Sequence, residues 1–260
     1  MRPMPTIFVS HGAPTLAIDP GHTGPMLHHL MESLPTPRAI VVISAHFESP
    51  GTHLLTANPS PATVYDFGGF DNRLYEIQYP APGSPTLAQN ICAHLHNAGF
   101  NSGIDSQRGL DHGAWVPLLY MRPEANIPII QLSLNSRAGP SEHFRLGQSL
   151  QWLRHDGVLI MGSGGLTHNL RRIFARSPTD DPDASVEPFV QFLFDNLSNR
   201  NFENIIRYDH HPLGLEHHPT PEHLMPLMVV AGASIDSDRW QRHAGGVTYG
   251  LLSMDAFSAG

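Results

Sequence analysis

Three short apolar runs each lead toward a histidine: Thr6-Ile-Phe-Val-Ser10 before His11, Ala39-Ile-Val-Val-Ile-Ser-Ala45 before His46, and Val158-Leu-Ile-Met-Gly-Ser-Gly-Gly-Leu-Thr167 before His168. Apolar runs of this kind are the pattern of parallel strands buried on both faces. In open α/β sheets the ligand crevice lies beyond the carboxyl ends of the strands, so histidines just past three strand ends are placed to converge. A fourth strand-like run lies near 127–134. Helix-period stretches alternate with the strands, at 84–97 with Leu87, Ile91 and Leu95, and at 141–155 with Leu146, Leu150 and Leu153. Ser84-Pro85 and Gly139-Pro140-Ser141 supply their start signals. This alternation predicts an α/β fold, one domain over 1–260 with a central, mainly parallel sheet flanked by helices.

The residue inventory narrows the chemistry. All fifteen basic residues are arginine, and the absence of lysine removes Schiff-base chemistry, lysine-anchored pyridoxal phosphate and a phosphate-loop lysine. The single cysteine, Cys92, excludes an intrachain disulfide and any metal site built on several thiolates. Its spacing with Leu87, Ile91 and Leu95 reads as a small core residue. Metal ligation must therefore come from nitrogen and oxygen. A net charge of -8 without basic clusters argues against a nucleic-acid partner. No segment approaches the ~18 to 20 apolar residues of a membrane span, and the N-terminus lacks a signal-peptide pattern, so the expected location is cytoplasmic. A monomer and a small homo-oligomer fit equally well.

Among eighteen histidines, the pairs His28-His29, His210-His211 and His217-His218 read as surface or loop residues. His223 lies in Thr220-Pro-Glu-His-Leu-Met-Pro-Leu-Met-Val-Val230, where Thr220 and Pro221 read as the cap and first residue of a buried helix. A polar residue there needs a partner, and a metal is one candidate. Adjacent helical residues point about 100° apart, which predicts that Glu222 and His223 do not share one site. His112 follows Asp111 in Gly109-Leu-Asp-His-Gly-Ala-Trp115, and an acid or base role suits both His112 and His168. Proline and glycine cluster at 50–69, 80–85 and 209–221, loops that suit either an active-site rim or ordinary connections. The segment 176–185 reads as a polar loop. Gly162-Ser-Gly-Gly-Leu-Thr167 starts like a dinucleotide fingerprint, but Thr167 stands at the third glycine.

The motifs Ser10-His-Gly-Ala-Pro14, Ser44-Ala-His46, Tyr65-Asp-Phe-Gly-Gly-Phe70, Tyr79-Pro-Ala-Pro-Gly-Ser84, Gly109-Leu-Asp-His-Gly-Ala-Trp115, Gln131-Leu-Ser133, Thr167-His-Asn-Leu170, Pro219-Thr-Pro-Glu-His223 and Leu252-Ser-Met254 occur in an order that runs nearly end to end. Together they resemble the class III extradiol ring-cleavage dioxygenases, in the DOPA 4,5-dioxygenase-type branch. That resemblance implies a metal site of His11, His46 and His223, with His168 as catalytic acid/base and His112 contacting substrate or oxygen. It implies Fe(II) for activity, with Zn(II) as a possible occupant that His168 would approach as a fourth ligand, and a small-molecule catechol and O2 as partners. A zinc-dependent hydrolase and a noncatalytic binding protein on the same scaffold are the alternatives. Tyr65, Phe67, Phe70, Tyr75 and Trp115 are candidates for a pocket wall or for packing.

Overall fold

The computed structural model describes residues 2–173 and 176–260. Its main sheet is built from Thr6–Ser10 (β1), Ala39–Ser44 (β2), Ile129–Gln131 (β3), Val158–Gly164 (β4), Trp240–His243 (β5) and Ala256–Ala259 (β6), in the order β3-β2-β4-β1-β6-β5. Strands β1 to β4 are mutually parallel, with Ile40 opposite Ile129 and Leu159, and Phe8 opposite Gly162. Strands β6 and β5 extend the edge antiparallel. The expected single α/β domain with a mainly parallel sheet is present.

Side chains alternate across the pleat, so each strand feeds two cores. Ile7, Val9, Ile40, Val42, Leu159 and Met161 pack with Thr23–Ser33 (α1) and His112–Met121 (α3). Phe8, Val41, Ile43, Val158 and Ile160 pack with Pro85–Asn97 (α2), Pro140–His155 (α4), Val186–Ser198 (α5) and Met225–Ala233 (α6). The predicted apolar stripe of α4, Leu146, Leu150 and Leu153, is wholly buried. Each such leucine contributes about 1.5–3 kcal/mol relative to an exposed one. Helices α4 and α6 cross at glycines: a Cβ on Gly147 would lie 2.0 Å from the Val229 carbonyl oxygen, and one on Gly232 would lie 1.9 Å from that of Phe144.

Several boundaries differ from the sequence reading. The run at 127–134 is broken, because only 129–131 joins the main sheet while Leu134–Asn135 pairs with Glu48–Ser49. Inside the Pro/Gly-rich stretch 50–69, His53–Thr56 forms a strand parallel to Ser102–Asp105. The helix expected from Pro221 begins at Met225, with Pro226 in its first turn, and 222–224 form a turn closed by the Leu224 N–H on the Pro221 carbonyl at 2.9 Å. His217 and His218 are buried rather than on the surface. Their Nε2 atoms pair with the carbonyls of Ser185 at 3.0 Å and Leu166 at 2.9 Å, which pins the loop leading to His223. No helix among the described residues is long and apolar enough to cross a membrane.

Candidate metal centre

Three backbone bonds gather the strand ends. The N–H of His11 donates to the Gly164 carbonyl at 3.0 Å, that of Ala45 to Ser163 at 3.0 Å, and that of Gly165 to His223 at 3.0 Å. The last contact depends on the bare backbone of Gly164, whose hypothetical Cβ would stand 2.0 Å from the His223 carbonyl oxygen; at Gly162 the obstacle would be the Pro226 carbonyl, 2.7 Å away. The glycines that mimic a nucleotide-binding fingerprint therefore serve close packing of the 223–226 segment on β4. Gly113 does the same for α3: a Cβ there would meet Ser44 Oγ at 2.5 Å and His11 Nδ1 at 3.2 Å. Gly164→Ala should push the 223 turn outward and weaken metal binding at least tenfold, read by metal titration of protein with native circular dichroism.

The imidazoles of His11, His46 and His223 bring one ligand nitrogen each to within 4.8 Å of the others. The proton positions of His11 and His223 follow from their partners. Ser163 Oγ donates to the Gly113 carbonyl, so toward His11 Nδ1, 3.0 Å away, it acts as acceptor. His11 therefore carries its proton on Nδ1, and its Nε2 is a bare lone pair 3.0 Å from His46 Nε2. His223 Nδ1 donates to the Glu222 carboxylate at 3.0 Å, which likewise leaves Nε2 unprotonated. Ligand histidines characteristically give their second N–H to a carboxylate, carbonyl or similar acceptor, and lone pairs converging in a buried cluster suit a divalent cation. Burial, with each neighbouring imidazole adding to it, holds His11 and His223 well below the ordinary histidine range. Burial first, then His112, lowers His46 to about 4 against the opposing pull of Asp111, Asp66 and Glu222. Neutral imidazoles are the form that binds metal.

Two further donor sets adjoin this one, His46 with Asp66 and His112, and His168 with Glu222 and His223. Two histidines and a carboxylate form the donor set of many nonheme iron(II) oxygenases, and the cluster as a whole fits that ion. Asp66 is also fully engaged with His112: its Oδ1 accepts the backbone N–H at 2.9 Å and its Oδ2 faces Nδ1 at 3.0 Å. Despite the opposing effect of burial, the His112 hydrogen bonds bring the Asp66 carboxyl down to about 2. His168 stacks on His223, ring centroids 3.4 Å apart and planes 10° from parallel. Phe67 meets the His112 ring edge-on at 5.6 Å.

Residues 5–252 match the family of the catalytic LigB subunit of aromatic ring-opening dioxygenases. The chain belongs to the LigB family. It is 40% identical over 259 residues, 97% of this chain and 95% of the relative, to the 4,5-DOPA dioxygenase extradiol of Beta vulgaris. It is 36% identical over 255 residues, 96% and 93% of the two chains, to the protein of the same name from Escherichia coli (strain K12). A crystal structure of a protein from Escherichia coli K12 matches with a TM-score of 0.80 and 33% identity, covering 99% of this chain and 100% of that one.

As a LigB-family enzyme the chain is a nonheme iron(II) extradiol dioxygenase that opens a catechol-type ring with O2, a reading its histidine-rich cluster matches. Membership selects this activity over the zinc hydrolase and the noncatalytic scaffold. The LigB-family site also holds residues to which the sequence reading gave no role. Asp66 lies inside the Tyr65–Phe70 motif, and Ser163 inside the glycine-rich turn, but neither spacing reveals the histidine it serves. Glu222 was expected to face away from His223. Because 222–224 form a turn and not a helix, the two side chains meet instead, and the carboxylate binds the imidazole. Asp111, adjacent to His112 in sequence, turns elsewhere: it caps α3 and accepts from Ser44 Oγ at 2.7 Å, Gln131 Nε2 at 2.6 Å and Arg108 Nη2 at 3.1 Å.

Proposed function

We propose that the chain cleaves a DOPA-like or related substituted catechol, with iron(II) held by His11, His46 and His223, His168 acting as acid/base and His112 contacting substrate or oxygen. The observation that carries the ligand assignment is the convergence of three imidazole nitrogens within 4.8 Å, with the other nitrogens of His11 and His223 spoken for by Ser163 and Glu222. The competing sets are less suited. Asp66 is occupied by two His112 donors, a carboxylate orienting a histidine. His168 and His223 stack nearly parallel, so their in-plane lone pairs run side by side and do not meet at one ion. The names of the relatives, 4,5-DOPA dioxygenase extradiol, support the substrate class.

Iron(II) bound to three neutral imidazoles supplies a dicationic centre that draws a catecholate to itself and carries electrons between ring and O2. The chain's own residues manage protons and position. Burial lowers His168 to about 4, so at neutral pH its imidazole is unprotonated and able to take a proton from a catechol hydroxyl, then return it as the ring opens. His112 gives Nδ1–H to Asp66, which leaves Nε2 for the substrate or oxygen. Phe67, with Phe70 and Tyr75 each 37% exposed, forms an aromatic wall next to His112, whereas Trp115 is fully buried and serves packing. We place the enzyme in the cytoplasm as a monomer or small homo-oligomer, which fractionation and sedimentation would test.

His168→Ala should keep iron at near-stoichiometric levels while kcat falls by about 10²–10⁴, the usual contribution of a positioned acid/base. Anaerobic iron loading followed by oxygen-electrode and absorbance assays on L-DOPA would measure both. Full turnover in this variant, with iron intact, would remove His168 from the reaction.

A further inference from the structure

Of the three ligand histidines, His11 and His223 are fastened to β4 and its end by main-chain bonds, the His11 N–H on the Gly164 carbonyl and the Gly165 N–H on the His223 carbonyl. His46 has no main-chain partner of this kind among the described residues. Pairing along β2 stops one residue earlier, where the Ala45 N–H meets the Ser163 carbonyl at 3.0 Å, and His46 stands in the turn that follows. Its backbone groups are satisfied by side chains instead. The His46 N–H donates to Ser44 Oγ at 3.1 Å, and its carbonyl accepts from Arg108 Nη2 at 2.9 Å.

These two side chains meet at one carboxylate. Ser44 Oγ donates to Asp111 Oδ1 at 2.7 Å, and Arg108 Nη2 donates to Asp111 Oδ2 at 3.1 Å. Giving its only proton to Asp111 leaves the serine a lone pair for the His46 N–H. The two hydrogens of Nη2 divide between the His46 carbonyl and Asp111, while the guanidinium lies 4.1 Å over the Phe47 ring. Gln131 Nε2 at 2.6 Å and the Ala114 N–H at 3.2 Å complete the surroundings of Asp111, which is wholly buried. The Ala114 bond is the cap of α3, so the carboxylate is itself anchored to a helix. A carboxylate offers about four acceptor sites, and these donors occupy them. Turned either way, an amide in its place would present NH2 to Ser44 or to Arg108.

We propose that Asp111 is a positioning residue of the metal centre: through Ser44 and Arg108 it holds the His46 backbone, which no strand or helix holds. The assignment rests on the reading of His46 as a metal ligand. Asp111 belongs to none of the donor sets found among the described residues, so it acts through His46 and not on the ion.

Asp111→Asn keeps the size of the side chain and removes an acceptor from one of the two arms. Ser44→Ala and Arg108→Ala cut one arm each, the latter at a side chain 27% exposed, where folding is least at risk. Protein with native circular dichroism is loaded with iron(II) without oxygen and titrated against a chelator. A second sample is loaded with cobalt(II), whose visible absorption bands report ligand geometry. Asp111→Asn should weaken iron(II) binding about 10- to 100-fold, the range for loss of a group that orients a metal ligand. Each arm variant should lose less, and all three should shift the cobalt bands. Arg108→Ala added to Asp111→Asn should weaken binding little further, because residues on one path do not act additively. A purely structural role predicts a lower Tm with iron affinity and cobalt bands unchanged. That result in folded Asp111→Asn, or in both arm variants, would overturn the proposal, as would losses that add in full in the double variant. His46→Ala separates the two readings: metal retained there sinks the ligand assignment, whereas metal lost there and kept in Asp111→Asn sinks the positioning role alone.

Discussion

His223→Ala should lose iron by more than about 100-fold in affinity, and turnover with it, because one of three ligands is gone and the remaining pair cannot close a facial site. Glu222→Ala should cost less, about 10- to 100-fold in metal affinity, the range seen when the group orienting a ligand histidine is removed. Its carboxylate holds His223 Nδ1 at 3.0 Å and also accepts from Thr220 Oγ1 at 3.0 Å, so its loss frees the ring without deleting the nitrogen. Asp66→Ala should retain iron and lose the orientation of His112. Metal analysis and competitive titration with a chelator would read all three variants. Near-normal iron in His223→Ala, together with loss in Asp66→Ala or Glu222→Ala, would move the centre to one of the neighbouring donor sets.

Asp238→Ala should destabilise the fold by about 3–5 kcal/mol, the cost of leaving a buried charge without its partner. Arg154 and Asp238 are 1% and 4% exposed and meet in a two-pronged contact, Nη1 to Oδ2 at 2.6 Å and Nη2 to Oδ1 at 2.9 Å. Arg154 also donates to the carbonyls of Met4 at 2.6 Å and Ala233 at 2.9 Å, so one guanidinium joins α4, the approach to β1 and the end of α6. Asp238 in turn accepts the Ile235 N–H at 2.8 Å. For a domain of this size Tm should fall by roughly 6–20 °C in differential scanning calorimetry. Met4 precedes β1 whereas His11 follows it, so iron affinity of the folded fraction should stay at the wild-type level. A drop under 1 kcal/mol would mean that water enters to solvate the guanidinium left without its partner.

The strands that carry His11 and His46 were legible because a strand buried on both faces writes its position locally, as a continuous apolar run. The leucine stripes of α2 and α4 were legible for a similar reason, since their period is a property of neighbouring residues. Strand β5, Trp240-Gln-Arg-His243, left no such mark. It lies at the sheet edge with only Trp240 buried, and Ala256-Phe-Ser-Ala259 is too short to show a period. The helix predicted from Pro221 failed because Pro226 offers an equally good start signal five residues later. That shift brought Glu222 and His223 together.

By itself the sequence determined the chemistry available: no lysine, one thiol, many imidazoles, and three histidines past the ends of buried strands. Only the tertiary structure decided which nitrogen of His11, His112 and His223 faces inward and what holds the other. Those choices depend on partners far away in the chain, Ser163 for His11 across 152 positions and Asp66 for His112 across 46. Periodicity and turn signals act over a few residues, whereas a hydrogen bond between distant segments exists only once packing has brought them within 3 Å. Gly164 marks the boundary between the two: its place in the sequence was plain, but its purpose, admitting the His223 backbone, became visible only in the packed fold.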